Sequence, residues 1–508
     1  MAGHLFVVRG RLEDLRHDAV VVTTDQHFDV AEHWAPVHGV LDPGALRPDG
    51  WGSPRVRYGR ASDGRPLWFL DVTLAPGESL KDMLLRLRGL LGEVAAAEIE
   101  PSGRRVPLLS MPVPGIGRGG FHGSSGAVID ALLRTMSEVL IDLPLDVVLV
   151  ADDAAAYAAV QARRRQVGGW PAWVDAAEVS RLATLARDDG LALFVGAGVS
   201  IPAGLPSWRE LLDEIAQHSE IQAEAANGAL DDMSLLDQAE LLQRLVGPEL
   251  QKIVVQRCAD LTPALGHALL AALGCSEVIT TNYDRGYELA VASQGRPRPV
   301  AVLPWELPQP GVPWVLKLHG DVDHPDSIVL TRGQMVQYDN TWRPAGSLVQ
   351  AVLLTRHLLV VGASMTDDNV LRLTHEVREF RHASGVDGVL GTVLSVEPQP
   401  MRERLWAGDL TWVTLGEEPL EGARRLEIFL DAVAAHACDD GAYLLDPRFG
   451  GLLGDQERRL SNALRELRRS VDQAVQSAPH GREWRELQAV LSKLGGDAPR
   501  DWTRGSRD

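Results

Sequence analysis

Short apolar runs, each bounded by polar or glycine-rich residues, alternate along the chain with longer segments of helical periodicity. The short runs predict buried strands, and leucines that recur at helical spacing predict amphipathic helices. In the first part of the chain, strands are predicted at 5–8, 19–24, 66–74, 106–111 and 146–150. Helices are predicted there at 12–16, 78–98, 126–140 and 153–166. This alternation indicates a first α/β domain.

A second α/β unit follows segment 168–171, whose glycines and proline are typical of a linker. We interpret the largely helical stretch 208–272 as an insertion over a ligand site. Strands are predicted at 191–195, 277–281, 314–318, 327–330, 358–361, 389–395 and 410–414. Helices are predicted at 176–187, 455–476 and 482–494. The predicted divisions are a ligand-binding or regulatory domain at 1–167, a nucleotide-binding domain at 175–435 and a polar helical tail at 436–508.

Composition narrows the class of protein. A hydrophobic content of 45% and a charged content of 23% are those of a soluble globular protein. The net charge of −19 disfavours binding to nucleic acid or to anionic membranes. The three cysteines are far apart, which disfavours both a disulfide framework and a zinc site and favours a reducing compartment. With no signal-peptide pattern and no apolar run long enough to cross a bilayer, we expect a cytoplasmic protein without a metal cofactor.

The most informative stretch is 191–208, where a buried strand is followed by Gly196, Gly198 and Ser200 and then by a helix. A strand, a glycine turn and a helix in this order bind nucleotide phosphates, because glycine lets the backbone approach the phosphate and helix N–H groups point at it. Ile201 stands where the dinucleotide fingerprint of dehydrogenases has a third glycine. The stretch therefore predicts a phosphate site that is not the usual dehydrogenase motif.

Three later strands also end in polar residues: 278–284 in Asn and Asp, 315–321 in His and Asp, and 358–369 in Gly, Ser, Asp and Asn. In a parallel sheet the carboxyl ends of the strands share one edge, where ligands bind. Together with 196–200, four strand ends are therefore expected to meet there.

The order Gly-Ala-Gly-x-Ser, Thr-Thr-Asn-Tyr-Asp, Lys-Leu-His-Gly-Asp and Gly-x-Ser-x-x-Asp-x-Asn resembles the sirtuin-related SIR2 family. The resemblance covers roughly 180–420. It is greater to the SIR2-like NAD-cleaving proteins of bacterial defence than to the protein deacylases, because the motif reads Thr-Asn-Tyr and the four-cysteine zinc module of the deacylases is missing. The resemblance implies a Rossmann-like parallel-sheet domain with a helical insertion and NAD as substrate.

The resemblance also implies residue roles. His319 would be the base, Asn282 would position the nicotinamide ribose or a water, and Asp284 would hold the nicotinamide carboxamide or the Asn loop. Trp208 would stack on the nicotinamide ribose, or it is a buried anchor. The remaining residues expected to bind NAD are Gly196, Ala197, Gly198 and Ser200 at the pyrophosphate, Gly362, Ser364 and Asn369 on the adenosine side, and Thr281.

The implied reaction is cleavage of the nicotinamide–ribose bond to give nicotinamide and ADP-ribose, in an effector of antiphage defence that depletes NAD. A histidine that titrates near neutral pH suits the base, and an Asn amide offers both a donor and an acceptor to fix geometry. Two alternatives use the same site: a protein deacylase or ADP-ribosyltransferase, and a catalytically silent NAD-binding sensor. We expect a resting state relieved by a trigger or by assembly into a homo-oligomer.

The first domain faintly resembles a macro domain, which binds ADP-ribose. Residues 18–25 and the glycine-rich loop 114–123 carry this likeness, although Thr and Asp stand where macro domains usually have Asn. Such a loop before a Ser-capped helix is suited to a phosphate. The expected ligand is an ADP-ribose-like nucleotide or a phage-derived trigger.

Overall fold

A computed structural model describes residues 2–495, apart from 54–55, 117–124, 218, 296–299, 342, 366–367, 387, 439–440 and 478–480. Most of the predicted loop 114–123 and the end of the chain after 495 therefore lie outside the described residues. Within the described part, two parallel β-sheets are each covered by helices on both faces.

The first sheet has the strand order β1-β6-β5-β2-β4-β3, and all neighbours are parallel except the short edge strand β3. Its strands are β1 (Leu5–Arg9), β2 (Ala19–Thr24), β3 (Tyr58–Arg60), β4 (Leu67–Asp71), β5 (Leu108–Pro112) and β6 (Asp146–Ala151). Its helices are α1 (Ala35–His38), α2 (Leu80–Ala96), α3 (Ser125–Leu140) and α4 (Ala154–Val167). The central strands are apolar throughout because both faces are buried, as expected for a parallel sheet.

The second sheet is parallel throughout, with the order β13-β12-β11-β7-β8-β10-β9. Its strands are β7 (Leu191–Val195), β8 (Glu277–Thr280), β9 (Ala301–Leu303), β10 (Trp314–Lys317), β11 (His357–Val361), β12 (Gly391–Ser395) and β13 (Leu410–Thr414). The helices up to β10 are α5 (Ala176–Arg187), α6 (Trp208–Gln217), α7 (Gln222–Ala226), α8 (Leu235–Val246), α9 (Glu249–Ala259), α10 (Leu265–Ala272) and α11 (Gly286–Ser293). Later helices are α12 (Arg332–Thr341), α13 (Arg343–Thr355), α14 (Asp368–Ala383), α15 (Pro400–Leu405), α16 (Pro419–Ala437), α17 (Asp455–Ser477) and α18 (Arg482–Lys493).

The two sheets share one hydrophobic core. Helices α5, α10, α11 and α16 lie between them, and their buried side chains form a single cluster with residues of both sheets, such as Phe6 and Leu193. The outer face of the first sheet packs on α2, α3 and α4, and that of the second packs on α13 and α14. The residues after α16 return to the first sheet, where Phe449 is fully buried. Each domain therefore depends on the other for part of its core.

Buried ion pairs fix α16 to the first domain. Asp431 contacts Arg164 at 2.6 Å and His4 at 3.0 Å, and Arg424 contacts Asp146 at 2.8 Å. Burial by itself would raise the pKa of Asp431, but Arg164 and His4 outweigh burial and lower that pKa to about 2. A buried charge that is paired on several sides resists separation of the two domains.

One predicted strand is wrong. Residues 327–330 form no strand: a 3-10 helix spans Pro325–Ser327, and Ile328, Val329 and Leu330 are buried against other elements. A short apolar run shows burial but does not show whether a neighbouring strand is available. The edge strands β3 and β9 were not predicted from the sequence.

Neither a membrane-crossing helix nor a group of three or more potential metal-ligating side chains occurs in the part of the chain that the structure describes. Cys258, Cys275 and Cys438 are buried, and none of these three described residues is part of a disulfide.

Candidate active site at the carboxyl ends of four parallel strands

The four strands that carry the sequence motifs are adjacent in the sheet, in the order β11-β7-β8-β10. Val195 pairs with both Val361 and Thr280, and Thr280 pairs in turn with Lys317. The chain leaves β7 toward β8 and later returns on the other side at β11. The carboxyl ends on either side of such a reversal form the usual ligand crevice of an open α/β sheet.

The glycines of the first and last motifs pack directly on each other. A Cβ atom at Gly196 would lie 2.5 Å from the Gly362 carbonyl oxygen, and one at Gly362 would lie 2.7 Å from the Val199 nitrogen. Gly362 also has a φ of +68°, in the left-handed region. The N–H groups of Gly196 and Gly198 donate to the carbonyls of Val361 and Gly362, both at 2.9 Å. The close packing of the two loops is therefore enough to explain why positions 196 and 362 are glycine.

The Ser200 hydroxyl is the centre of a buried hydrogen-bond network. It lies 2.8 Å from Asp284 Oδ2, 3.1 Å from His267 Nε2 and 3.2 Å from Asn282 Nδ2. The side chain of Asp284 also accepts from the Gly286 N–H at 2.8 Å through its other oxygen. The structure therefore joins Ser200 of the first motif to Asn282 and Asp284 of the second, and adds His267.

The orientation of the Asn282 amide follows from its partners. Its nitrogen lies 3.2 Å from the carbonyl oxygen of Gly196, which can only accept, and 3.2 Å from Ser200 Oγ. Both amide hydrogens are thereby used. The remaining oxygen, Oδ1, is buried and accepts no hydrogen bond from any described residue. A buried acceptor without a donor is costly, so this atom is suited to accept from a ligand or a water.

His319 lies beside Asn282 at the next strand end. Lys317 pairs with Thr280, and His319 and Asn282 each follow two residues later. His319 is 8% exposed, and its backbone carbonyl accepts from the Val329 N–H at 2.8 Å. Two of the three residues predicted to be catalytic, Asn282 and His319, thus follow neighbouring strands at one edge of the sheet.

Below His319, Lys317 forms a buried ion cluster. Its ammonium lies 2.9 Å from Glu288 and 2.9 Å from Asp321, and it donates to the Asp284 carbonyl. Burial would lower the pKa of Lys317, but these acidic neighbours outweigh burial and raise it, whereas burial raises the pKa of Glu288. The cluster joins the end of β10, the loop after β8 and helix α11.

The partners named above for the Ser200 hydroxyl do not include the side chains of the other predicted residues that the structure describes. Ala197, Gly198 and Ser364 are exposed at the same edge, and Thr281 is half-buried. Trp208 packs against the core of the helical insertion, formed by α6, α8 and α9 with residues after His319, and its indole N–H is buried without an acceptor among the described residues. Asn369 lies in the first turn of α14, and its side chain lies outside the described residues.

A cleft of about 550 Å³ is lined in part by the loop that follows Ser200. Arg16 and Ser102 of the first domain line one side, and Pro202, Gly204 and Glu210 are among the residues on the other. Asn282 and His319 do not line it. The cleft is a feature of the contact between the domains and is separate from the strand-end site.

Sequence reasoning missed His267, Lys317 and Glu288 as parts of the site. His267 is the one polar side chain in the apolar helix α10, and Lys317 is an isolated charge within an apolar strand. A polar residue in an otherwise buried element is the signal that would have found both of them.

The segment that carries most of this edge is similar to known proteins. Residues 276–409 match the model of the SIR2-like domain family. NAD(+) hydrolase ThsA of Bacillus cereus (strain MSX-D12) is 30% identical over 197 residues, which are 38% of this chain and 40% of that protein. ThsA of Acinetobacter baumannii (strain 532279) is 27% identical over 39% of this chain and 42% of its own length. Defense-associated sirtuin 2 of Bacillus subtilis is 24% identical over 41% of this chain and 21% of its own length.

Among solved structures, a SIR2 homologue in complex with NAD is 16% identical, with a TM-score of 0.28, over 49% of this chain and 91% of that one. The chain thus spans about two fifths of the length of the ThsA proteins that it matches. The family match includes three of the four strand ends, whereas Gly196 and Ser200 precede it. The segment that is similar to the SIR2-like domain family therefore includes Asn282 and His319.

Proposed function

We propose that this chain is an NAD⁺ hydrolase that cleaves the nicotinamide–ribose bond and releases nicotinamide and ADP-ribose. The observation that carries the proposal is the Asn282 amide, whose hydrogens are committed to Gly196 and Ser200 and whose buried Oδ1 has no donor among the described residues. The similarity to proteins named NAD(+) hydrolase supports the choice of substrate.

In the proposed reaction, the bond between ribose C1′ and the nicotinamide nitrogen breaks, and its electrons neutralise the pyridinium. The ribose passes through an oxocarbenium-like state, and the oxygen of a water forms the new bond at C1′. Asn282 Oδ1 accepts a hydrogen bond from this water or from a ribose hydroxyl, and His319 takes the proton that the water loses. Side chains that are fixed in this way act mainly by orienting the water and the ribose, and such orientation accounts for a large part of the rate enhancement in many enzymes.

The two oxygens of Asp284 are both occupied, by Ser200 and by the Gly286 N–H. This favours a role in holding the Asn282 loop over a role in binding the nicotinamide carboxamide. The turn from Gly196 to Ser200 would lie at the pyrophosphate, and Gly362, Ser364 and Asn369 would lie on the adenosine side.

We further propose that NAD depletion serves antiphage defence, with the first domain as the regulatory part. The names of the relatives, among them a defense-associated sirtuin, support this context. The shared core and the ion pairs of α16 offer a mechanical connection between the two domains. An ADP-ribose-like nucleotide or a phage-derived trigger at the first domain, and a homo-oligomer, belong to the same proposal.

The test is to incubate the purified protein with NAD⁺, with and without an acylated peptide, and to measure nicotinamide and ADP-ribose. The cellular NAD concentration after induced expression is measured in parallel, because the purified protein lacks any trigger that activates it in the cell. We expect peptide-independent cleavage that His319→Ala and Asn282→Ala abolish. The controls are His382→Ala and Asn462→Ala, at exposed positions on α14 and α17.

Each other outcome has its own meaning. Cleavage retained in both site variants refutes the residue assignment. Strict dependence on the peptide favours a deacylase, and NAD binding without turnover in the tube or in cells favours a silent sensor.

A further inference from the structure

His267 is a buried histidine with no role in the proposed reaction so far. It is 1% exposed and is the third residue of α10, in the helical layer between the two sheets. The ring is held closely, because a Cβ atom at Gly286 would lie 2.5 Å from its Nε2. The ring therefore packs directly against the Gly286 backbone.

Its hydrogen bonds define which ring nitrogen carries the proton. Nδ1 lies 3.1 Å from the Ala264 N–H, which can only donate, so Nδ1 accepts. The proton of the neutral ring is then on Nε2, which donates to Ser200 Oγ at 3.1 Å. Burial lowers the pKa of His267, which keeps the ring neutral, although nearby Asp284 acts in the opposite direction and Lys317 in the same one.

Ser200 is saturated by these contacts. A hydroxyl has one hydrogen to donate and two lone pairs that accept. The hydrogen goes to Asp284, which as a carboxylate can only accept, and the lone pairs accept from His267 and Asn282. The direction of the Ser200 hydroxyl is therefore fixed by three partners. Through Ser200, the side chains of Asn282 and Asp284 are also held in place.

We propose that His267 is a positioning residue for NAD cleavage: its Nε2–H fixes Ser200, and Ser200 in turn holds the Asn282 amide and the Asp284 carboxylate in their working orientation. The inference rests on the proposed function. It adds a residue that lies outside the segment matched to the SIR2-like family.

A pair of substitutions separates positioning from a purely structural role. In His267→Gln, the terminal amide offers an acceptor and a donor about as far apart as the two ring nitrogens, and Gln at this helix position can also bond the N-cap N–H. In His267→Asn, the shorter amide keeps the acceptor for Ala264 but does not reach Ser200. Leu270→Val is the control, because it removes volume from a fully buried position of the same helix without touching Ser200.

Steady-state kinetics on NAD⁺ and thermal unfolding are measured for each full-length variant. We expect His267→Asn to lower kcat by about 10- to 100-fold, as misorientation of a reacting group does, with KM changed by no more than about twofold. His267→Gln and Leu270→Val should keep kcat within about twofold of the wild type. In a Ser200→Ala background, His267→Asn should cost nothing further, because its only route to the site has been removed.

Three results would overturn the inference while leaving the proposed function intact: wild-type kcat in His267→Asn, equal losses in the Gln and Asn variants, or the full loss in the Ser200→Ala background. A wild-type protein that cleaves no NAD⁺ in the tube or in cells would instead refute the proposed function, and the inference would fall with it.

Discussion

Replacement of Lys317 by methionine tests how the site is held together. Met has a similar length but no charge, so Lys317→Met leaves Glu288 and Asp321 buried without their cation. The lysine side chain is fully buried, and the two carboxylates lie 2.9 Å from its ammonium. Removing one partner from a buried ion cluster costs about 3–5 kcal/mol. Since unfolding entropy is about 2.1 cal/mol/K per residue, a chain of 508 residues that unfolds as one unit should melt about 3–5 °C lower.

The pH dependence of this deficit has a definite sign. Burial raises the pKa of Glu288 above its ordinary value of 4.5 even in the presence of Lys317, and without the cation that pKa rises further. A carboxyl whose pKa is higher in the folded state destabilises the folded protein increasingly as the pH rises from the unfolded pKa toward the folded one. The deficit of Lys317→Met should therefore grow as the pH rises above the unfolded pKa of a glutamate and should shrink as the pH falls back toward it.

The assay is urea and thermal unfolding of wild type and variant at several pH values. Lys252→Met is the matched control, because Lys252 is an exposed lysine in an ion pair with Glu249, and surface pairs contribute about 0–1 kcal/mol. Glu288→Met should cost less in the Lys317→Met background than in the wild type, because the carboxylate is then no longer paired. A Lys317→Met protein as stable as the wild type, or a deficit that grows on acidification, would refute the reasoning.

Two further predictions concern the domain contact and the glycine loops. Because the pKa of Asp431 is lowered from 3.8 to about 2, its carboxylate contributes about 2 kcal/mol of stability above about pH 4, and this contribution is lost as the pH falls toward 2. Urea unfolding across this range should show that the free energy of unfolding of Asp431→Asn lacks this acid-sensitive contribution. Identical pH profiles for the variant and the wild type would contradict the prediction. Gly362→Ala should destabilise the fold by about 1–3 kcal/mol and lower NAD turnover, because its Cβ would lie 2.7 Å from the Val199 nitrogen. Gly92 lies in helix α2, and a Cβ there would have open space around it, so Gly92→Ala should instead stabilise the fold by up to about 1 kcal/mol. Equal melting temperatures for the two glycine variants would show that the contact between Gly362 and Val199 does not exclude a Cβ atom.

Much of the element order could be predicted because it depends on local patterns. The strands β1, β2 and β7 and the helices α3, α5 and α6 follow from apolar runs and helical spacing that the chain carries within a few residues. The polar ends of β8, β10 and β11 were equally visible, so the edge of the sheet that carries the candidate site was predictable in outline. Segment 327–330 shows the limit, because Val329 is buried by distant residues without a partner strand.

The sequence by itself determined that two α/β units follow each other and that glycine, asparagine and histidine stand at successive strand ends, because periodicity and strand polarity are properties of neighbouring residues. Only the tertiary structure decided that Gly196 packs on Gly362, that His267 donates to Ser200, and that α16 lies between the two sheets. These contacts join segments far apart in the chain. They depend on the directions of individual side chains after the sheets have formed, and no local pattern encodes those directions.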